Sequence, residues 1–286
     1  MAPVISVIVT TYNHENYIEK ALESILMQKD CPEFEIVIGN DCSTDNTGKI
    51  IENYASKYPQ IKVLTRDKNL GMLYNFKNCF ENCSGNYIAI LEGDDYWHDD
   101  QKLKKQYELL KNSEALFCFS DIYLLEKEGE PYKKHVENAK KTLNGKITAK
   151  QHIELGNPIA NFSCCMYKKE ALKYIPETYW EDKDNADWLF NLYILDQKDA
   201  IYLNERCSVY RINEMGLWSR LANEEREFAL IKAINNYNKY FNYKYKESFY
   251  KRLSQIVSIS EKNLFSKTFS VNKNKKIKIS VTRIKK

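Results

Sequence analysis

Residues Ile90–Trp97 read ILEGDDYW. An apolar run closes on Glu92, Gly93, Asp94 and Asp95, and two aromatic rings follow. Tyr87–Leu91 has the length and composition of a buried strand, so the three carboxylates stand where that strand leaves the core. Like charges this close repel, and a buried carboxylate without a partner is costly. Such a cluster either stands in water or faces a cation.

The segments upstream set the frame for that strand. Ile5–Thr11 is short and rich in β-branched residues, as is Glu35–Gly39, and Ile61–Leu64 is a third short apolar run. Between them, Tyr17–Gln28 carries Ile18, Ala21, Leu22, Ile25 and Leu26 at helical spacing. Ser43, Thr44 and Asp45 are suited to cap a helix running to about Lys57. Gly71 precedes a helix over Leu73–Asn82. Strands alternating with helices of this length predict an α/β fold, a mostly parallel sheet with helices on both faces. In such sheets ligands bind beyond the carboxyl ends of the strands. Those ends carry Thr10, Thr11, Tyr12 and Asn13; Asn40 and Asp41; Arg66 and Asp67; and the acids of Glu92–Asp95.

The 286 residues suffice for one large domain with an appendage, and 43% hydrophobic content supports a packed core. A net charge of +4, with 39 acids diluting the Lys and Arg, argues against nucleic acid as a partner. The eight Cys form no CxxC pair and have no His at zinc spacing, which fits reduced thiols in a cytoplasmic protein. No segment has the length and apolarity of a membrane span.

The second half is patterned less regularly. Leu116–Asp121, Ile122–Leu125, Ile159–Tyr167, Ala200–Leu203 and Ser208–Arg211 read as strands, and Asp187–Leu195 as a helix. Lys127–Asn144 reads as a charged excursion. From Asn223 the pattern is helical, with Phe228, Ile231, Ile234 and Tyr237 on one face. The expected division is a catalytic domain over 1–220, with a nucleotide half to residue 100 and an acceptor half to 220, followed by a helical extension over 221–286 with a basic tail.

Acid-x-acid on a turn suits a hard divalent ion that keeps waters and binds phosphates, Mg²⁺ or Mn²⁺, and Gly93 permits the tight backbone. Alone, the pattern equally describes a solvated turn. The neighbouring strand ends strengthen the cation reading. Tyr12 can stack on a base, Asp41 can hydrogen-bond base or ribose, and Arg66 can meet a diphosphate. Each also has a plainer role, as a half-buried ring, a helix cap and a surface charge.

The ordered set PVISVIVTTYNHENYIEKALESILMQ, GNDCSTDNT, NLGMLYNF, GNYIAILEGDDYWHDDQKL, ADWLFNLYIL and LNERCSVYRINEMGLWS resembles family 2 glycosyltransferases with the GT-A fold, over Pro3–Ser219. The resemblance implies that Tyr12 and Asp41 hold the base, with Thr10 nearby. It implies that Asp94 ligates the metal, and that Glu92 lies near the ribose or the metal's water shell. It makes Asp187 the general base, and Arg211, Gly216, Trp218 and Ser219 part of a flexible loop over donor and acceptor. Two departures stand out: Glu92 replaces the usual Asp, and Asn213 stands where the family often has a metal-binding His, so its amide oxygen becomes the ligand candidate. Glu181, Asp182 and Asp184 compete with Asp187 for the role of base.

The implied activity is inverting transfer of a sugar from a nucleotide-diphospho-sugar, UDP-linked by expectation, to a glycan or lipid-linked saccharide in bacterial surface polysaccharide synthesis. Two rivals are a sugar-phosphate nucleotidyltransferase, for which TTYNHENY lacks a Gly-rich basic loop, and a binding protein that has lost catalysis, which only Asn213 favours. The basic C-terminus suggests peripheral contact with the inner membrane. Nothing in the sequence fixes the oligomeric state.

Overall fold

The computed structural model describes residues 3–130, 132–134, 143–181, 186–213, 216 and 221–258. Its first half alternates as the sequence predicts: β1 (Ile5–Thr11), α1 (Ile18–Leu26), β2 (Phe34–Asn40), α2 (Thr47–Lys57), β3 (Ile61–Leu64), α3 (Met72–Glu81) and β4 (Tyr87–Glu92). These four strands pair in parallel in the order β3-β2-β1-β4. The β1–β2 and β1–β4 registers set Thr10 beside Gly39 on one side and Glu92 on the other. The predicted ligand-binding residues therefore share one rim.

Strand β1 is buried along its whole length because both sheet faces are covered. On one face α1 buries Ile18, Ala21, Leu22 and Ile25. On the other, aromatic residues stack layer on layer: Phe76 on Phe162 at 4.9 Å, Phe80 on Phe190 at 5.8 Å.

The second half continues through β5 (Tyr96–Trp97), α4 (Lys102–Lys111), β6 (Phe117–Leu125), β7 (Lys133–Lys134), β8 (Lys146–Ile147), α5 (Ala149–Leu155), a 3₁₀ turn (Phe162–Cys164), β9 (Cys165–Lys168), a 3₁₀ helix (Lys169–Tyr174), α6 (Glu177–Glu181), α7 (Asp187–Leu195) and β10 (Ala200–Arg211). Here the pairing is mixed. β9 runs antiparallel between β4 and β6, β10 is parallel to β6, and β5 is antiparallel to β10.

Several second-half expectations need correction. The two strands predicted over 116–125 are one, and so are the two over 200–211, whose pairing is interrupted by register shifts between Leu203 and Ser208. An irregular ladder hides the alternation that marks a strand. Of the strand expected over 159–167, only 165–168 forms, because 162–164 winds into a 3₁₀ turn. Half of the charged excursion, residues 131 and 135–142, lies outside the described residues, though Lys133–Lys134 pairs with β6.

Helix α7 is apolar almost all round and is buried accordingly, with Asn191 Oδ1 accepting from the Tyr167 hydroxyl at 2.7 Å. The chain divides into two compact units, Met1–Ala222 and Asn223–Lys286. In the second, α8 (Asn223–Tyr240) buries Ile234 and Tyr237, whereas Phe228, expected on the same face, is 71% exposed.

At Gly39 a Cβ would drive into Asn75 Oδ1 and Cys79 Sγ, since α3 lies directly on the end of β2. Gly39→Ala is expected to cost about 1–3 kcal/mol of stability, as overpacking does, read from the urea unfolding midpoint.

Candidate active site

The turn leaving β4 is fixed by hydrogen bonds within itself and to two other segments. Gly93 N–H donates to Thr10 O at 2.8 Å, and Asp95 N–H to Glu92 O at 2.9 Å. Glu92 N–H donates to Ser163 Oγ at 3.1 Å. A Cβ on Gly93 would lie 2.9 Å from Thr11 Oγ1 and from His14 Nδ1, so the turn passes against those side chains with no room for a larger residue.

Asp95 is fully buried and acts as the clamp. Its Oδ2 accepts from Asn161 Nδ2 at 2.6 Å and Ser163 Oγ at 2.7 Å, and its Oδ1 from the Arg211 backbone N–H at 3.0 Å. Burial, with Asp94 adding to it, pushes the Asp95 carboxyl well up, and these donors pull it back. Neither Asp95 nor Ser163 was singled out for this role by sequence; no local pattern marks a residue whose partners lie 66 and 116 positions away.

Arg211 departs from expectation. It is the last residue of β10 rather than part of a flexible loop, and it is buried. Its Nη1 donates to Asp94 O at 2.9 Å and its Nε pairs with Glu128 Oε1 at 2.9 Å. The guanidinium lies 4.5 Å over Tyr96. Arg211 therefore holds the Asp94 peptide in place. Asn213 Nδ2 donates to Asp94 Oδ2 at 3.0 Å, so the amide nitrogen, not the oxygen, faces the carboxylate. Trp218 and Ser219 lie outside the described residues, while Gly216 N–H donates to Asn213 O at 3.2 Å.

Asp187 opens α7, where Asn157 Nδ2 donates to its Oδ2 at 3.0 Å. Ala186 occupies the N-cap position, so Asp187 is not the cap. Burial raises the Asp187 carboxyl to about 6. Glu92 is pushed well above the usual carboxylate range, first by burial and then by the charges of Asp95, Asp94 and Asp187. Those four acids also act together on Tyr210, whose phenol is raised by burial and then by Glu92, Asp95, Asp94 and Asp187. Four carboxylates from β4, its turn and α7 thus face one region, with Tyr210 of β10 beside them. Of the competing bases, Glu181 ends α6 with an exposed side chain, and Asp182 and Asp184 lie outside the described residues.

On the first-strand side, Tyr12 is exposed and Thr10 nearly buried. Asp41 is almost fully buried and spends both oxygens on the chain itself: Oδ1 accepts from Leu70 N–H at 2.9 Å and Oδ2 from Gly71 N–H at 2.8 Å. Gly71 takes φ 90°, which its lack of a side chain allows. Arg66 lies behind this loop, 4.0 Å from Asp41 Oδ1, with Nη2 at 3.4 Å from Tyr74 O. The structure thus makes Asp41 the anchor of the 69–71 loop.

With this geometry in place, comparison with known proteins is informative. The model of Glycosyl transferase family 2 matches residues 6–175. The chain belongs to glycosyltransferase family 2. Its fold is GT-A: the mannosyltransferase PcManGT of Pyrobaculum calidifontis, solved with GDP-Man and Mn²⁺, superposes with a TM-score of 0.61 at 16% identity over 96% of this chain and 82% of its own. Staphylococcus aureus TarS 1-349 in complex with UDP-GlcNAc aligns with a TM-score of 0.61 at 25% identity, covering 82% of this chain and 67% of that one.

Among curated sequences, the putative teichuronic acid biosynthesis glycosyltransferase TuaG of Bacillus subtilis is 35% identical over 134 residues, 47% of this chain and 52% of its own. A Mycobacterium tuberculosis relative is 29% identical over 230 residues, 78% of this chain and 63% of its own. The chain therefore spans less than two thirds of the length of these relatives.

Asp95→Asn should test the clamp. An amide would set an NH₂ group against donors that now point at a carboxylate, and the expected loss is about 2–3 kcal/mol in urea unfolding. Asp94→Asn, which changes a side chain whose hydrogen bond among the described residues comes from Asn213, should leave the midpoint nearly unchanged.

Proposed function

We propose that this family 2 chain is an inverting glycosyltransferase that moves a sugar from a nucleotide-diphospho-sugar, UDP-linked, to a hydroxyl of a glycan or lipid-linked saccharide acceptor in bacterial surface glycan synthesis. The observation that carries the reading is that Asp94, Asp95 and Asp187 lie close enough to Glu92, at the carboxyl end of the sheet, for their charges to add to burial in raising it. Asp95 is satisfied by protein donors; Glu92, Asp94 and Asp187 together form an excess of negative charge that suits a cation. The UDP-GlcNAc complex of TarS supports a UDP-sugar donor, and TuaG supports a surface polymer as destination.

Asp94, aided by Glu92, would hold the divalent ion, Mn²⁺ or Mg²⁺. Among the described residues no three His, Cys, Asp or Glu side chains are grouped to bind an ion unaided, so donor phosphates would have to supply the remaining ligands. Once bound, such an ion neutralises charge on the departing nucleoside diphosphate. Asn213, placed to donate to Asp94, steers that carboxylate rather than adding a ligand. Tyr12 offers a face for the base, and the Asp41-anchored loop at 69–71, with Arg66 behind it, forms the wall beside it.

Asp187 receives the acceptor hydroxyl's proton as that oxygen bonds to the anomeric carbon and the bond to the diphosphate oxygen breaks; one displacement inverts the centre. A carboxyl at about 6 is a stronger base than an ordinary Asp and is still mainly ionised at neutral pH. Asn157 orients it.

Two outcomes follow from this reading. Asp187→Asn should lower transfer at least ~10²-fold while UDP binding by calorimetry stays nearly intact; an active Asn variant would remove Asp187 as base. Since the raised carboxyl is ionised only above its pKa, transfer should fall as pH drops through about 6, whereas an ordinary Asp would hold activity to about pH 4. A pH–rate profile of kcat distinguishes them.

A further inference from the structure

Charge is distributed very unevenly between the two compact units. Residues 223–286 carry sixteen Lys and Arg against five Glu, a net of +11. The preceding 222 residues carry 27 against 34, a net of −7. The modest overall charge of +4 conceals this opposition.

The described part of that unit, residues 223–258, holds seven of those Lys and Arg against four Glu, and it also carries exposed rings. Residues 246–258 form a helix that buries Ser248, Phe249 and Ile256. The flank next to that buried stripe carries Tyr250, 55% exposed, and Val257, 48% exposed. Seven residues apart, they stand two turns from each other on one stripe. Tyr243, 52% exposed, precedes the helix. Exposed Lys246 and Lys251 flank the stripe, with Glu247 the one acid among them. A stripe of tyrosine and valine bordered by lysines suits the boundary between headgroups and acyl chains, where Tyr rings place an apolar body and a polar tip and Lys meets anionic headgroups. No helix among the described residues is long and apolar enough to cross a membrane, so the contact would lie along its surface.

We propose that the Tyr250–Val257 face of the second unit docks on an anionic lipid bilayer, with the surrounding positive charge supplying the attraction. This reading does not depend on the transfer reaction.

Co-sedimentation of the full chain with vesicles tests it. Vesicles of equal parts phosphatidylcholine and phosphatidylglycerol should pull down most of the protein, and pure phosphatidylcholine little. High salt should release it. Tyr250→Ser with Val257→Ser, an exposed pair whose exchange leaves the fold intact by circular dichroism, should cut the bound fraction several-fold; Lys246→Glu with Lys251→Glu should do the same. Equal binding to both vesicle types, absence of binding to either, or wild-type binding by the serine pair would overturn the proposal. So would retention on single-stranded nucleic acid with none on vesicles, since the charge would then serve a different polymer.

Discussion

The rim of the sheet depends on one buried carboxylate. Asp95, on the turn after β4, meets the segment at 161–163 and the end of β10, and both contribute donors to it. A buried charge is tolerated only when its oxygens are filled, and the donors here come from segments far apart in the chain. Ser163 extends the junction, because its carbonyl also accepts from Trp97 Nε1 and Ser208 Oγ, both at 2.9 Å. Asp95 thereby welds the parallel first half of the sheet to the mixed second half at the level where ligand would bind.

With Asp95 committed to structure, the remaining acids have different work. Asp94 is held by its backbone carbonyl through Arg211 and by one oxygen through Asn213, so its position is set while its charge remains available. Glu92 and Asp187 face it from β4 and α7, and both are raised by burial. The charges of Asp95, Asp94 and Asp187 add to burial in raising Glu92, a repulsion that a divalent ion would relieve. Arg211 does not relieve it: its guanidinium is turned to Tyr96 and Glu128, away from the acids' side chains.

Much of the first half was legible because its signals are local. Strands β1 to β4 are short apolar runs separated by helices of regular period, and their order along the chain implies that Tyr12, Asp41, Arg66 and Asp94 reach one rim. The second half resisted reading where pairing is irregular: β10 shifts register within itself and β9 is four residues long. Side-chain duties were harder still. Asp41 and Arg211 are buried in backbone-holding roles that their residue types do not reveal. Tyr210 and Asn157 went unnoticed because only the fold brings them beside the acids. Phe228 was assigned to a buried face by helical period alone, which says which residues align but not what covers them.

The central claim is that the acids at the end of β4 accept a divalent ion together with a nucleoside diphosphate. Electron paramagnetic resonance of Mn²⁺ titrated with the protein, with and without UDP, addresses it most directly. The account predicts loss of the free-ion signal when protein and UDP are both present, well beyond what UDP alone produces, and return of that signal with Asp94→Asn. A signal that protein leaves unchanged in the presence of UDP, or that wild type and Asp94→Asn quench equally, would contradict it.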